Sequence, residues 1–258
     1  MRLGWQIALL FVLDMLETFS RQDFALVLAG VHKTPTGRQL DKLLDRWRRE
    51  ELIARTGRGS KAVFRIADTA STRWQDPDPS AAWGRYWDGK WRIFSFDLPR
   101  SHRKERMKLW RHLRGARFGF LQRSVWIWPH DVEATLMGMV EAHGIPECFC
   151  GYEVSRLFLC NNTEVVGCAW DWERIRRSQE AYVDRALNML RDLKNAQRVE
   201  TLARLARKEY DRYRDAFGLD PLLPEGLLPD RYRGREIQDR HIEFRELLRD
   251  RIRRTVLG

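Results

Sequence analysis

The sequence predicts an α+β protein with three parts: an amino-terminal winged helix-turn-helix, a central ferredoxin-like β-α-β-β-α-β domain and a helical carboxy-terminal domain. Three observations predict this class. Three helix-like stretches precede a glycine-rich basic hairpin, strand-like and helix-like runs then alternate, and the last third is helical apart from one proline-rich segment. We expect domains at residues 1–68, 89–165 and 166–258, with residues 69–88 as a linker.

The composition limits the kind of protein and the kind of partner. The chain of 258 residues has 47 Lys and Arg against 36 Asp and Glu, a net charge of +11, and is 43% hydrophobic. This apolar content favours packed cores over disorder, and the length suits about two domains or three small ones. All of the excess positive charge lies in residues 1–130, whose net charge is +12 against −1 for residues 131–258. Because summed positive charge attracts polyanions over long range, we expect residues 1–130 to bind a polyanion. The alternative is a basic surface that has no such partner.

Neither a membrane segment nor a secreted framework is predicted. The most apolar run, Trp5 to Leu13, is shorter than the roughly 20 residues that span a bilayer, and it ends at Asp14. It also lacks the basic start and small-residue cleavage site of a secretory signal. The four cysteines lie in one short region: Cys148, Cys150, Cys160 and Cys168. This is not the dispersed pattern of a disulfide-stapled domain, so we expect a cytoplasmic protein.

The first seventy residues predict three helices. Residues 5–17 are expected to form a buried helix, and Ser20 followed by Asp23 predicts the N-cap of a second helix. The third helix is expected from Arg38 to Glu50. At about 100° per residue, one face of it is apolar and the other charged. The apolar positions are Leu40, Leu43, Leu44 and Trp47; the opposite positions are Arg38, Lys42, Asp45 and Arg49.

A basic hairpin follows the third helix. Two strand-like runs, 52–55 and 62–66, flank Gly57 and Gly59, which permit the positive φ that a hairpin turn needs. In a winged helix-turn-helix the third helix enters the major groove and the wing contacts phosphates. The candidates are therefore Arg38, Gln39, Lys42, Arg46 and Arg49 on the helix, and Arg55, Arg58 and Lys61 on the wing. For the helix alone, a merely solvated charged face is the alternative.

The central region predicts a small sheet with helices on one face. A strand over residues 91–96 ends at Asp97, and a very basic helix, two strands, another helix and a last strand pair follow: 101–114, 118–121, 124–128, 131–143 and 148–160. Between Pro99 and Arg123 there are nine basic side chains and one acidic one. The exposed face of the basic helix carries Lys104, Lys108 and Arg111. These three either contact an anion or an effector, or are solvated.

The carboxy-terminal third predicts helices over residues 170–193, 200–217 and 236–256. Between the last two, the segment from Asp220 to Pro229 contains three prolines. Proline lacks the backbone N–H and clashes with the preceding turn, so a helix is excluded there. We expect an extended strap that packs its leucines against neighbouring helices; contact with another subunit or with a ligand is the alternative.

Several motifs in this order resemble one known family. They are Trp87-Asp88-Gly89-Lys90-Trp91, the segments 96–99 and 122–129, Ala169-Trp170-Asp171, and Asp220-Pro221-Leu222-Leu223-Pro224 through Pro229. On them the chain resembles the phenylacetate-catabolon repressor family, the PaaX-like regulators. The resemblance implies a homodimeric repressor that binds double-stranded DNA and is relieved by an acyl-coenzyme A. The central domain also resembles the small CRISPR-associated adaptation nuclease, in which a strand-end Asp is the proposed metal ligand.

No other chemistry is predicted. The cysteines form no pair of zinc knuckles and are expected to be buried free thiols. The six histidines show no metalloprotease spacing, and neither a Walker loop nor a nucleophile elbow occurs. We therefore predict no catalytic residue, no metal and no cofactor. The alternative is a magnesium-dependent nuclease that uses Asp97, a residue that could equally cap the helix after it.

Overall fold

The computed structural model describes residues 4–57, 59, 62–68, 79–143 and 149–257. These residues form a mixed α and β structure with two antiparallel sheets and a helical carboxy-terminal end. The chain divides into two compact units: Met1–Asp78, Gln179–Ala216 and Arg235–Gly258 form the first, and Pro79–Ser178 and Phe217–Gly234 the second. Within the described ranges, none of the helices has both the length and the apolar content needed to cross a bilayer. The domain boundaries expected from the sequence stay a prediction.

The amino-terminal part of the first unit contains three helices and a three-stranded sheet. The elements in chain order are α1 (Gly4–Asp14), β1 (Phe19–Ser20), α2 (Arg21–Val31), α3 (Gly37–Arg49), β2 (Ile53–Thr56) and β3 (Val63–Ile66). The strands pair antiparallel in the order β1-β3-β2. Capping boxes start two of the helices: Ser20 with Asp23 at α2, as predicted, and Thr36 with Gln39 at α3. The third helix thus begins one residue earlier than predicted.

The apolar stripe of α3 packs into the core of this part. Leu40, Leu44 and Trp47 are buried, whereas Leu43 is only half-buried. The Trp47 and Phe24 rings pack nearly perpendicular to each other, with a centroid separation of 5.3 Å. Each fully buried side chain of this size contributes about 1.5–3 kcal/mol. Because this face anchors the helix, the charged face is left to solvent.

The second unit contains the β-α-β-β-α-β order that the sequence predicts. After the short helix α4 (Pro79–Trp83) come β4 (Trp91–Phe96), α5 (Arg103–Gly115), β5 (Gly119–Gln122), β6 (Val125–Trp128), α6 (Glu133–His143) and β7 (Phe149–Val154). The sheet order is β5-β6-β4-β7, with every pair antiparallel. The predicted strand pair at 148–160 is wrong, because a single strand ends at Val154. Leu159 then adopts a left-handed backbone, with φ at 66°, and Asn161 caps the next helix.

Helices make up the carboxy-terminal third. They are α7 (Asn162–Ala169), which was not predicted, α8 (Trp172–Asn195), α9 (Val199–Phe217) and α10 (Gly234–Leu257). The strap between α9 and α10 is extended apart from one 3-10 turn at Glu225–Leu227, as its prolines predict. Leu223 and Leu227 of the strap join the core of the second unit, which confirms the expected packing of its leucines.

A tight turn from Trp87 to Trp91 precedes β4. Gly89 has φ at 78°, the Lys90 N–H donates to Asp88 Oδ1 at 3.0 Å, and Trp87 Nε1 donates to the Lys90 carbonyl at 2.9 Å. The Arg92 guanidinium donates to both oxygens of Asp88, at 2.8 and 2.7 Å. The hydrogen bonds that Asp88 accepts, above all those from Arg92, lower the pKa of its carboxyl group. The side chains of this motif therefore hold the turn together.

The strap is fixed by a second carboxylate, Asp220, which is fully buried. Its Oδ1 accepts the Leu222 N–H at 2.8 Å, and its Oδ2 accepts the Tyr232 hydroxyl at 2.7 Å. The Tyr232 oxygen in turn accepts a hydrogen bond from Trp83 Nε1 at 3.1 Å. Burial, and then the neighbouring Asp220 charge, raise the pKa of Tyr232. The network ties the strap to α4 and to Tyr232, all within the second unit.

Candidate nucleic-acid interface

The charged face of α3 carries cations that have no partner within the protein. Arg38, Lys42 and Arg49 are exposed, and none forms a hydrogen bond or ion pair with another described residue. They recur at intervals of four and seven residues and therefore share one face. With a rise of about 1.5 Å per residue, the 13-residue helix is about 20 Å long and slender enough for a DNA major groove.

Two other residues of α3 that were predicted to contact DNA interact with neighbouring residues of the protein. The Gln39 Oε1 accepts the Thr36 N–H at 3.0 Å, so its carboxamide is turned toward the start of the helix. Arg46 lies 3.9 Å from the Glu50 carboxylate and stays about half exposed. The structure thus brings all five predicted helix residues to the solvent side of α3, three with unpaired side chains and two with local partners.

An ion pair joins α2 to α3 on the same surface. Arg21 Nε donates to Asp41 Oδ1 at 2.8 Å, and its Nη2 donates to Asp41 Oδ2 and to the Gly37 carbonyl at 3.2 Å each. The hydrogen bond from Arg21 holds the pKa of Asp41 below its ordinary value. Arg21 was not among the predicted site residues, because its partner lies twenty positions away in the sequence.

A groove of about 660 Å³ runs beside α3. Trp5, Leu28 and Leu43 are among its apolar lining, and Trp5 stacks on His32 with a centroid distance of 4.5 Å. Four cations also line it: Lys33, Lys42, Arg46 and Arg49. No sequence pattern predicted this groove, since Trp5 belongs to the apolar pattern of α1.

The wing is described in part. Strands β2 and β3 pair antiparallel up to Thr56 and Val63, and Gly57 and Gly59 have φ of 83° and 62°. The glycines thus take the positive φ that the hairpin prediction requires. Arg55 is exposed on β2. The other two wing candidates, Arg58 and Lys61, lie outside the described residues.

The basic helix α5 belongs to the second unit. Lys104 and Lys108 are exposed and form no hydrogen bond or ion pair with other described residues. Arg111 is also exposed, and its Nε donates to the Met107 carbonyl at 3.2 Å. The three predicted anion contacts therefore share one solvent face, opposite the fully buried Leu109 and Leu113.

Asp97 and the cysteines depart from expectation. Asp97 is exposed at the end of β4. The N-cap residues of the 3-10 turn and of α5 that follow are Pro99 and His102, and neither end has a side-chain cap, so the capping role of Asp97 is wrong. Among the described residues no three potential metal ligands group together, and one carboxylate does not fit a magnesium site by itself.

The expectation of buried thiols is wrong for the three described cysteines, which are all exposed: Cys150, Cys160 and Cys168.

These features define a protein in which a basic three-helix region with a small sheet precedes a β-α-β-β-α-β sheet domain and a helical end. Two family models match it: the PaaX protein central Cas2-like domain over residues 84–164 and the PaaX-like protein C-terminal domain over residues 170–257. The chain belongs to the PaaX-like family. The resemblance noted from its sequence motifs is thereby confirmed.

One solved structure shares the fold along most of the chain. It is the uncharacterized protein Rv0674 from Mycobacterium tuberculosis, with a TM-score of 0.57 and 19% sequence identity. The similarity covers 92% of this chain and 91% of that one. At this identity the likeness concerns the fold alone. A search of curated proteins gives no match.

Proposed function

We propose that the protein is a sequence-specific DNA-binding transcriptional regulator. In this proposal α2, α3 and the β2–β3 hairpin form a winged helix-turn-helix, and α3 enters the major groove. The observation that carries it is the exposed face of α3, where Arg38, Lys42 and Arg49 have no partner among the described residues. Membership of the PaaX-like family supports the same class of function.

The proposal gives the predicted residues separate roles. The cations and Gln39 on α3 approach base edges and flanking phosphates, while Arg55 and the wing residues Arg58 and Lys61 contact the backbone. Guanidinium groups suit both tasks, because their planar donors match the guanine edge and the phosphate oxygens.

We further propose that the regulator is a homodimeric repressor relieved by an acyl-coenzyme A. A two-fold dimer would bind half-sites about 34 Å apart, or a multiple of that distance. The family resemblance supports both points. The exposed cations Lys104, Lys108 and Arg111 on α5 are the candidates for contact with the phosphates of such an effector.

Fluorescence anisotropy with duplexes selected from a random pool tests the DNA-binding proposal. The R38A/K42A double variant should weaken binding about 10- to 100-fold and lower the salt slope by up to about 1.8, since each neutralised phosphate contributes about 0.9. The control is R191A/K194A, which removes two exposed cations from α8 and should bind like the wild type. Equal losses in both variants, or no salt-sensitive binding by the wild type, would reject the proposal.

A second candidate function, a magnesium-dependent nuclease, is favoured by the Cas2-like match together with the exposed Asp97. It requires a second carboxylate from elsewhere, such as a second copy of the chain. Purified protein would be incubated with DNA or RNA and Mg²⁺. Cutting that is lost in D97N and kept in E141Q would support this candidate; no cutting, or cutting that survives D97N, would exclude it.

A further inference from the structure

A cavity of about 320 Å³ lies within the second unit, at the end of α5 and the start of α8. Its lining combines aromatic side chains with cations. The aromatic residues are Phe118, Phe120, Trp126 and Trp170, and the cations are Arg114, Arg117 and Arg174. None of these arginines belongs to the anion contacts predicted on α5.

The three guanidinium groups have no carboxylate partner. None of them forms a hydrogen bond or an ion pair with the residues that the structure describes. One acidic residue lines the cavity, Asp171, and its Oδ1 accepts the Arg174 backbone N–H at 3.0 Å. Asp171 thus caps the start of α8 and leaves the lining with a net positive charge.

The Arg114 side chain and the Arg117 backbone are held in place by their surroundings. The Arg114 guanidinium lies over the rings of Trp110 and Phe120, 4.8 and 5.7 Å from their centroids, an arrangement that limits its motion. Arg117 has φ at 66°, and its carbonyl accepts the Trp170 indole N–H at 3.0 Å. Its turn ends α5, with the Phe118 N–H bonded to the Leu113 carbonyl at 3.1 Å. Glycine is usual at that position, so the arginine there is strained.

A buried donor among the lining residues also lacks a partner. Trp126 is fully buried, and its Nε1 has no hydrogen-bond acceptor within the described structure. A buried N–H without an acceptor costs free energy, and native structures rarely keep one without a reason. The first backbone N–H groups of α8 add partial positive charge at the same cavity.

We propose that this cavity is a binding site for a small organic anion, an apolar body that carries a carboxylate or a phosphate. The arginine forks match the oxygens of either group, and the aromatic lining matches the apolar body. The volume lies at the lower end of the range for small-molecule pockets. A concave, aromatic-lined site suits a discrete molecule better than a nucleic-acid backbone. The proposal goes beyond DNA binding and does not depend on it.

Calorimetric titration of the full chain with four probes tests the site: phenyl phosphate, benzoate, inorganic phosphate and benzyl alcohol. One of the first two should bind saturably with one site per chain, and comparing them distinguishes phosphate from carboxylate. Inorganic phosphate lacks the apolar body and benzyl alcohol lacks the charge, so both should bind at least tenfold more weakly. Saturable binding of neither phenyl phosphate nor benzoate, or equal binding of all four probes, would overturn the proposal.

Matched variants locate the binding. R114A/R174A should weaken binding of the probe at least tenfold, whereas R103A/R156A, which removes the same charge from two exposed positions of the second unit that do not line the cavity, should leave it unchanged. Equal losses in both variants would indicate a general field effect and overturn the site. DNA affinity, measured separately, distinguishes failure of this proposal from failure of the proposed function.

Alkylation of Cys168 gives a readout that needs no variant. This exposed cysteine lines the cavity, whereas Cys150 and Cys160 line other pockets. Bound probe should slow the reaction of Cys168 with iodoacetamide, followed by peptide mass spectrometry, and leave Cys150 and Cys160 unaffected. No selective protection at a saturating probe concentration would contradict the proposal.

Discussion

Charged side chains on the exposed face of α3 differ from those in the turns of the second unit that contain Asp88 and Asp220. On α3, Arg38, Lys42 and Arg49 have no partner among the described residues. In the second unit, Asp88 and Asp220 each accept two or more hydrogen bonds from their own unit. The family models match residues 84–164 and 170–257, which contain these motifs, and α3 precedes the first match. The family matches therefore cover the part of the chain that contains these two carboxylates. The proposed recognition surface lies outside the matches, and the evidence for it comes from the side chains of α3 itself.

The largest effect expected from this contrast is the loss of Asp220. In D220A the Leu222 N–H and the Tyr232 hydroxyl would lose their buried acceptor, at about 1–3 kcal/mol for each donor left unsatisfied. We expect the free energy of unfolding to fall by about 3 kcal/mol, measured by urea denaturation of the full chain. The control is D230A, an exposed carboxylate ten residues on, which should change stability by less than about 0.5 kcal/mol. Similar values for both variants would mean that the strap network does not stabilise the unit.

The second prediction concerns alkaline pH, since each unit holds a tyrosine that donates to a carboxylate, Tyr182 being buried and Tyr232 half-buried. The Tyr182 hydroxyl donates to Glu209 Oε1 at 2.6 Å, an oxygen that also lies 2.8 Å from His241 Nδ1. Burial, and then the Glu209 charge, raise the pKa of Tyr182, as burial and Asp220 do for Tyr232. Above about pH 10 the unfolded chain loses these protons while the folded chain keeps them. The free energy of unfolding is therefore at its full value below that pH. Above it, the free energy of unfolding should decrease by about 1.4 kcal/mol per pH unit for each tyrosine.

Unfolding curves between pH 9 and pH 11 measure this slope. Y182F and Y232F should each flatten it, and Y86F, which alters a side chain that is 86% exposed, should not. An unchanged slope in the Y182F/Y232F double variant would show that neither tyrosine controls alkaline stability.

Local patterns predicted most elements of the fold, whereas short elements and contacts between helices were missed. Helical periodicity predicted α3 and its buried stripe, and Ser20 with Asp23 predicted the start of α2 within one turn. The two-residue strand β1 and the eight-residue helix α7 were missed because short elements show no periodicity. The contact of α2 with α9 was also missed. A Cβ on Gly30 would lie 2.3 Å from the Glu200 carbonyl, an approach between helices that only the folded chain specifies.

For the candidate sites too, local sequence patterns predicted some residues, whereas contacts between distant segments could not be predicted. The cations on one face of α3 could be predicted, since residues four and seven apart on a helix are neighbours. The Arg21–Asp41 pair and the three arginines of the second-unit cavity could not. Arg114 and Arg174 are sixty positions apart, and their approach depends on how α5, α7 and α8 pack.

The third prediction uses the turn that ends α3, where the backbone of Glu51 has a left-handed conformation. Glu51 has φ at 55°, and the Leu52 N–H bonds to the Trp47 carbonyl at 2.9 Å, as in a turn that glycine favours. E51G should therefore raise the free energy of unfolding by about 1 kcal/mol and leave DNA affinity unchanged. Glu50, with φ at −83°, provides the control, because E50G should give no gain. A loss of stability in E51G would mean that the Glu51 side chain matters more than its backbone.

The smallest expected effect tests whether α3 faces DNA at all. Asp41 and Arg21 are each about half exposed, so their ion pair contributes little to stability, and D41A should unfold like the wild type within about 1 kcal/mol. On a DNA-facing helix, however, the change removes a carboxylate from among phosphates and frees Arg21 to contact one. Affinity should then rise about three- to tenfold and the salt slope steepen by up to about 0.9. D215A, which removes an exposed carboxylate from α9, should do neither. If D41A binds DNA no better than D215A, Asp41 does not lie beside the phosphates, and α3 cannot enter the groove with the face that Arg38 and Lys42 share.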